Sequence, residues 1–349
     1  MGRFALLGAI LVGIALGTAS PALADPTELY AVAFDTALGR ASDTELDLLV
    51  PANGPAPASL VFYSPQGYGF AVGQAAGTKI GTVVAGVTVG GSTTEVEADG
   101  DLVADDPAKY FGNSCAPGLH AAVFVANLTA SGITVPVPLY VDPTSAAESM
   151  LGGFKIQACL GSPDVPAAIG GAPGGVRLVE AYLDFANVFT NPAASGTYTW
   201  RLIETPFTPG TATPDATATI EARSLVGLPK LFSLKWALNA SKSRLTLSGK
   251  VSEAGKPRAA VNVRFLGGPQ KDADTWKALG VTKTKADGSF SFTKAVTTSL
   301  YVFAHVNPYV SDSCSVAAST AALGCQFEST GPSFGPVLHV VVPKVKKKK

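Results

Sequence analysis

Carboxylates are the groups through which this chain has most scope for chemistry. Glu95, Glu97, Asp99, Asp101, Asp105 and Asp106 form its densest acidic cluster, around Gly100. Calcium accepts several loop carboxylates, which makes Asp99, Asp101, Asp105 and Asp106 candidate ligands for that ion, although the spacing of an EF-hand loop is missing. A solvated acidic loop accounts for the same residues without any ligand, and it is the expectation here. A second group, Glu180, Tyr182 and Asp184, falls on one face of a strand. Two carboxylates suffice for glycoside hydrolysis. Four residues of strand, however, set Glu180 and Asp184 roughly 13 Å apart, beyond the ~5–9.5 Å that either glycosidase mechanism uses.

Histidine chemistry has little material, since the chain holds 3 histidines, His120, His305 and His339. A serine nucleophile needs a base within hydrogen-bond reach, and no G-x-S-x-G elbow occurs. His120 opens the apolar run Ala121 to Val125, His305 shares a strand face with Tyr301 and Phe303, and His339 interrupts Val337 to Val342. Packing or surface roles are expected for all of them. Neither C-x-x-C nor H-E-x-x-H occurs, so neither a zinc site nor another cofactor is implied. The expectation is a protein that is not an enzyme.

Exposed aromatics stack on sugar rings or dock partners. Tyr63, Tyr68 and Phe70 flank Pro65-Gln66-Gly67, and Trp276 sits beside a polar loop. Ordinary core packing is the favoured reading of these, with a carbohydrate- or small-ligand-binding module as the alternative function and a secreted carboxylate-pair hydrolase as the third.

The first residues place the protein outside the cytoplasm. Met1-Gly2-Arg3 precedes an apolar run from Phe4 to Gly17, and Ser20-Pro21-Ala22-Leu23-Ala24-Asp25 follows. That is the order of a secretory signal peptide, with cleavage expected near Ala24. The run is shorter than the roughly 20 residues a bilayer span needs, and no transmembrane segment is expected in the mature chain. An oxidising destination suits disulfides. Four cysteines allow three connectivities. Cys115 and Cys159 lie in the first half and Cys314 and Cys325 near the end, so a domain boundary between the pairs favours Cys115–Cys159 and Cys314–Cys325.

Charge is unevenly placed. Basic and acidic residues number 26 each, but Lys344, Lys346, Lys347, Lys348 and Lys349 crowd the last six positions, leaving an acidic body. Such a body is no nucleic-acid surface. The lysine tail has two readings, a solubilising end or a contact to anionic cell-wall polymers or lipid headgroups.

The elements that must position these groups are strands. The chain is 47% hydrophobic and 15% charged, with 37 glycines and 25 prolines, which fits many short strands joined by Gly/Pro turns. Apolar runs at Leu29–Phe34, Ser59–Tyr63, Thr78–Thr88, His120–Asn127, Ile133–Val141, Gly153–Leu160, Val176–Phe185 and Thr197–Glu204 suggest a sandwich-like domain over 25–226. Only Pro143 to Met150 looks helical. Past a boundary near Gly227, period-two alternation is cleaner, as in Leu245-Thr246-Leu247 and Val261-Asn262-Val263-Arg264-Phe265. Seven candidate strands over 227–343 predict an immunoglobulin-like sandwich, so the fold class expected is all-β with two domains.

Within that second part, Leu245 to Val251, the Gly255-Lys256-Pro257 turn, Val261 to Phe265 and Thr282 to Phe292 resemble a carboxypeptidase regulatory-like domain. The resemblance covers roughly residues 240–310. It implies a transthyretin- or immunoglobulin-type sandwich acting as a non-catalytic accessory unit of a secreted bacterial protein. The functional expectation is an exported structural or interaction protein of the cell envelope or extracellular space.

Overall fold

The computed structural model describes residues 27–343 except 131, 272–275, 307–308, 313–326 and 331–332. The leader, the Cys314/Cys325 pair and the lysine tail lie outside the described residues.

The fold is all-β. In chain order the first strands are β1 (Glu28–Ala33), β2 (Ala41–Leu49), β3 (Pro57–Ser64), β4 (Gly69–Phe70), β5 (Lys79–Val89), β6 (Glu95–Asp105), β7 (Ala122–Ala130), β8 (Ile133–Pro143), β9 (Phe154–Cys159), β10 (Val176–Thr190), β11 (Gly196–Pro206) and β12 (Ile220–Leu228). They join one sheet in the order β1-β2-β10-β5-β6-β7-β8-β9-β3-β11-β12, with β4 beside β10. The sheet curls until β1 lies against β12, the Ala31 amide of β1 donating to Ser224 Oγ of β12 at 2.8 Å. Side chains alternate across each strand, and the inward set closes around Phe62, Phe124, Phe185, Phe189 and Trp200, all buried. Tyr68 and Phe189 meet the Trp200 ring edge-on, with centroids 5.2 and 5.1 Å away. Each such aromatic contributes about 1.5–3 kcal/mol by burial.

The second part supplies β13 (Lys230–Asn239), β14 (Arg244–Glu253), β15 (Lys256–Pro257), β16 (Asn262–Gly268), β17 (Lys277–Lys283), β18 (Ser289–Ala295), β19 (Leu300–Val306), β20 (Tyr309–Asp312), β21 (Phe327–Thr330), β22 (Ser333–Phe334) and β23 (Leu338–Val340). A four-stranded sheet of β13, β14, β15 and β18 and a five-stranded sheet of β16, β17, β19, β22 and β23 share a core that includes Leu247, Val263, Phe265, Phe290 and Val302. This is a sandwich. All seven expected strands are present, joined by the short β15 and β22. At the turn before β15, Ala254 and Gly255 both take positive φ, 49° and 74°, a tight-hairpin geometry that glycine adopts without strain.

Three departures from expectation have physical causes. Glu95 to Asp105 is a strand rather than a solvated loop, because Ala98, Gly100, Leu102 and Ala104 alternate inward between the acids. Residues 146–150 form a turn and no helix. Ser145 Oγ donates to Glu148 Oε2 at 2.8 Å, a helix-start signature, but no apolar stripe follows to reward further turns. Finally, β21 runs parallel to β12, Arg223 opposite Glu328, with β20 antiparallel outside it. Chain from beyond Gly227 thus returns to the first sheet.

Polar groups also tie the two parts together. Thr36 Oγ1 accepts from the Lys230 amide and donates to its carbonyl, at 3.1 and 3.0 Å. The buried Lys230 ammonium lies 3.7 Å from Glu253 Oε1, and Arg258 pairs with the other oxygen of that carboxylate. Burial pulls the Lys230 pKa down while Glu253 opposes the shift.

Candidate functional site: a carboxylate face on the first sheet

The two acidic groups of the sequence form one surface. On β10, Glu180, Tyr182 and Asp184 point outward because Ala181, Leu183 and Phe185 are buried. Pairing with β2 places Glu45 opposite Asp184 and Asp47 opposite Tyr182. On the other flank β5 sets Thr82, Val84 and Gly86 beside Asp184, Tyr182 and Glu180, and β6 continues the rows with Asp101, Asp99 and Glu97. Glu28 and Tyr30 of β1 extend the surface past β2. Carboxylates of four strands, β1, β2, β10 and β6, therefore share one outward face, with β5, which carries none, between β10 and β6.

Gly86 makes room for the closest approach. A Cβ there would lie 2.0 Å from Glu95 Oε1 and 2.5 Å from Glu180 Cγ. The bare backbone lets the two carboxyl groups hydrogen-bond, and that bond, chiefly, raises the Glu95 pKa. Burial and the charges of Glu45 and Glu180 push Asp47 up to about 8. Asp47 Oδ1 is buried and accepts no hydrogen bond. Glu45 is raised by burial and then by Asp184. Tyr182 donates to Glu180 Oε2 at 3.2 Å, and its phenol is pushed up to about 12, mainly by burial. Lys79 pairs with Asp101 at the rim. Like charges set side by side across strands repel, so part of this face holds its protons near neutral pH and all of it favours an approaching cation.

Asp105 and Asp106 depart from the surface. Asp105 binds Lys109 Nζ at 2.6 Å and the Tyr110 hydroxyl at 2.8 Å, and Asp106 caps the short turn Pro107–Tyr110 through the Ala108 amide. The four calcium candidates are thereby split. Among the described residues no group of three His, Cys, Asp or Glu side chains is placed to hold a metal ion. Glu28, Glu45 and Asp47 were not anticipated, although Thr44-Glu45-Leu46-Asp47-Leu48 carries the strand alternation that would have revealed them.

Part of the outer face elsewhere is covered. The loop between β6 and β7 folds over Val123, Val125 and Tyr140 and is fastened by the expected disulfide Cys115–Cys159. His120, buried, sets Nδ1 2.8 Å from Asp142 Oδ2 and Nε2 3.1 Å from the Ala116 carbonyl. His339 stacks on Tyr301. His305 packs beside Phe303, its pKa lowered by burial and by Arg264. Tyr63 and Tyr68 are core residues, Phe70 packs against that core, and Trp276 donates to the Gln270 carbonyl with its ring against Phe303.

No protein-family model matches the chain, and no curated protein matches it. Among solved structures, the D0-D1 domain of intimin aligns at 11% identity over 88% of this chain and 98% of its own, with a TM-score of 0.19. The major pilin SpaD of Corynebacterium diphtheriae aligns at 11% identity over 80% of this chain and 56% of its own, TM-score 0.23. The class 5 fimbriae chaperone CfaA aligns at 13% identity over 79% and 92%, TM-score 0.16. At these scores the likenesses carry no argument about this chain. Among the described residues no helix is long and apolar enough to cross a membrane.

Proposed function

We propose that this is a non-enzymatic structural or interaction protein that acts outside the cytoplasm, and that its carboxylate face binds a cationic partner. The observation that carries the reading is the convergence of Glu28, Glu45, Asp47, Glu180, Asp184, Glu95, Glu97, Asp99 and Asp101 on one outward surface. The buried core beneath holds these groups in place against their own repulsion, and a polybasic segment laid across the rows relieves it. Of the candidates for stacking on sugars, Tyr63 and Tyr68 are buried and Phe70 packs against the core, while Trp276 stays half-buried beside Phe303. The disulfide supports an oxidising location, reached through the leader with cleavage near Ala24. The second sandwich acts as an accessory unit, as its resemblance to carboxypeptidase regulatory-like domains suggests. The lysine tail adds attraction to anionic wall polymers or lipid headgroups, about 1 kcal/mol per lysine near a charged membrane.

The test uses an oligolysine peptide. The wild-type protein binds it at low salt and releases it at high salt, and Glu45→Gln, Glu180→Gln and Asp99→Asn combined abolish the binding. A wild-type protein that fails to bind oligolysine at low salt, or a triple variant that binds as well as wild type, overturns the reading.

A further inference from the structure

Among the described residues the second sandwich leaves the edge of β13 open. In its sheet β13 pairs β14 alone. The Lys230 amide and carbonyl turn away from β14, since both meet Thr36 Oγ1. By the alternation of an antiparallel ladder, the backbone groups of Phe232, Leu234, Trp236 and Leu238 point to the same open side. Among the described residues nothing hydrogen-bonds them there. The strand is rigidly held, because Phe232, Leu234 and Leu238 pack into the second core. It also exposes two large apolar side chains, Leu231 at 60% and Trp236 at 39%. Of the protections of an edge, proline and bulges are absent from it and one exposed lysine, Lys235, is present.

The edge is complementary to itself. Antiparallel to a second copy and centred on Leu234, it sets Phe232 opposite the partner's Trp236, Leu231 opposite the partner's Ala237 and Lys235 opposite the partner's Ser233. The three central pairs are then of the kind that exchange two backbone hydrogen bonds each, and the facing aromatics add cross-strand packing. Neighbouring registers are worse. Centring on Lys235 sets lysine against lysine, and centring on Ser233 sets Trp236 against Lys230, whose edge Thr36 already closes.

We propose that two copies of this chain pair β13 to β13, antiparallel and centred on Leu234, joining their four-stranded sheets into one continuous sheet across a two-fold axis. This assembly does not depend on what the carboxylate face binds.

Sedimentation of the whole secreted chain tests it. The wild type sediments as a dimer at micromolar concentration. Trp236→Pro removes an outward N–H without touching the β14 ladder, a place where strands tolerate proline, and gives a monomer with wild-type circular dichroism. Trp236→Ala keeps the N–H and remains dimeric. A monomeric wild type, a series of larger species, a dimer that survives Trp236→Pro, or a Trp236→Ala variant as fully dissociated as Trp236→Pro overturns the proposal. Should Trp236→Pro not fold, the exposed position 233 decides. Ser233→Lys, facing the partner's Lys235, dissociates the dimer and Ser233→Glu tightens it; equal effects of the two overturn the pairing.

Discussion

Glu95 and Glu180 share a hydrogen bond above the bare backbone of Gly86. Two carboxyl groups bond to each other only while a proton remains between them, so this contact couples the charge of the β6 row to that of β10. Any side chain at position 86 occupies the space that Glu95 Oε1 fills.

Gly86→Ala should therefore part the pair. The ends of both side chains are flexible and can swing outward, so the fold persists. The Glu95 carboxyl then titrates closer to an ordinary glutamate, a downward movement of its midpoint that NMR of the side-chain carbonyl reads directly. An unchanged Glu95 midpoint in the variant would show that Gly86 does not govern the contact.

Asp47 gives the stability curve a sign. Its folded-state pKa, about 8, is raised above the ordinary aspartate value of 3.8, so the native state binds a proton that the unfolded chain has released. That stabilisation is complete below the unfolded value and is lost as pH climbs through the folded one. Thermal stability should fall between about pH 4 and pH 8. Asp47→Asn, which keeps the shape without the charge, should flatten that fall and melt higher than wild type at pH 8. Equal slopes for the two proteins would remove Asp47 as the cause.

The second sandwich was more legible in the sequence than this surface. Leu245, Leu247, Val263, Phe265 and Phe290 alternate with polar residues, and one buried face per strand follows directly. In β6 the same alternation runs through Ala98, Gly100 and Ala104, small residues whose signal is drowned by the acids between them. Glu180 and Asp184 were visible as a strand face, but their neighbours Glu45 and Asp47 come from another part of the chain. Register between distant strands is fixed by tertiary packing, and no local pattern announces it. The return of β21 to β12 is hidden for the same reason.

The Cys115–Cys159 bond closes a loop across a sequence separation of 44. In the chain-entropy model a loop of that length is worth about 4 kcal/mol. Cys115→Ser with Cys159→Ser should cost close to that in denaturant unfolding, with a lower midpoint and a steeper slope, because the freed unfolded chain exposes more surface. A loss below about 1 kcal/mol would mean that the unfolded chain is compact there already.

The same loop has a second fastening at its other end. Asp142 receives the Ala121 amide at 3.0 Å on Oδ1 and faces His120 Nδ1 at 2.8 Å on Oδ2, so Asp142→Ala removes two contacts at once and leaves a buried imidazole short of a partner. A cost of about 2–3 kcal/mol is expected, with faster amide exchange at Ala121. The disulfide and Asp142 hold one segment over Val123, Val125 and Tyr140. Once either is gone, part of the segment's packing is already lost, and the other has less left to hold. The combined variant should therefore lose less than the sum of its parts, by about 1 kcal/mol. Strict additivity in that cycle would show that the two fastenings act on separate structures, and that the loop does not cover the outer core as one unit.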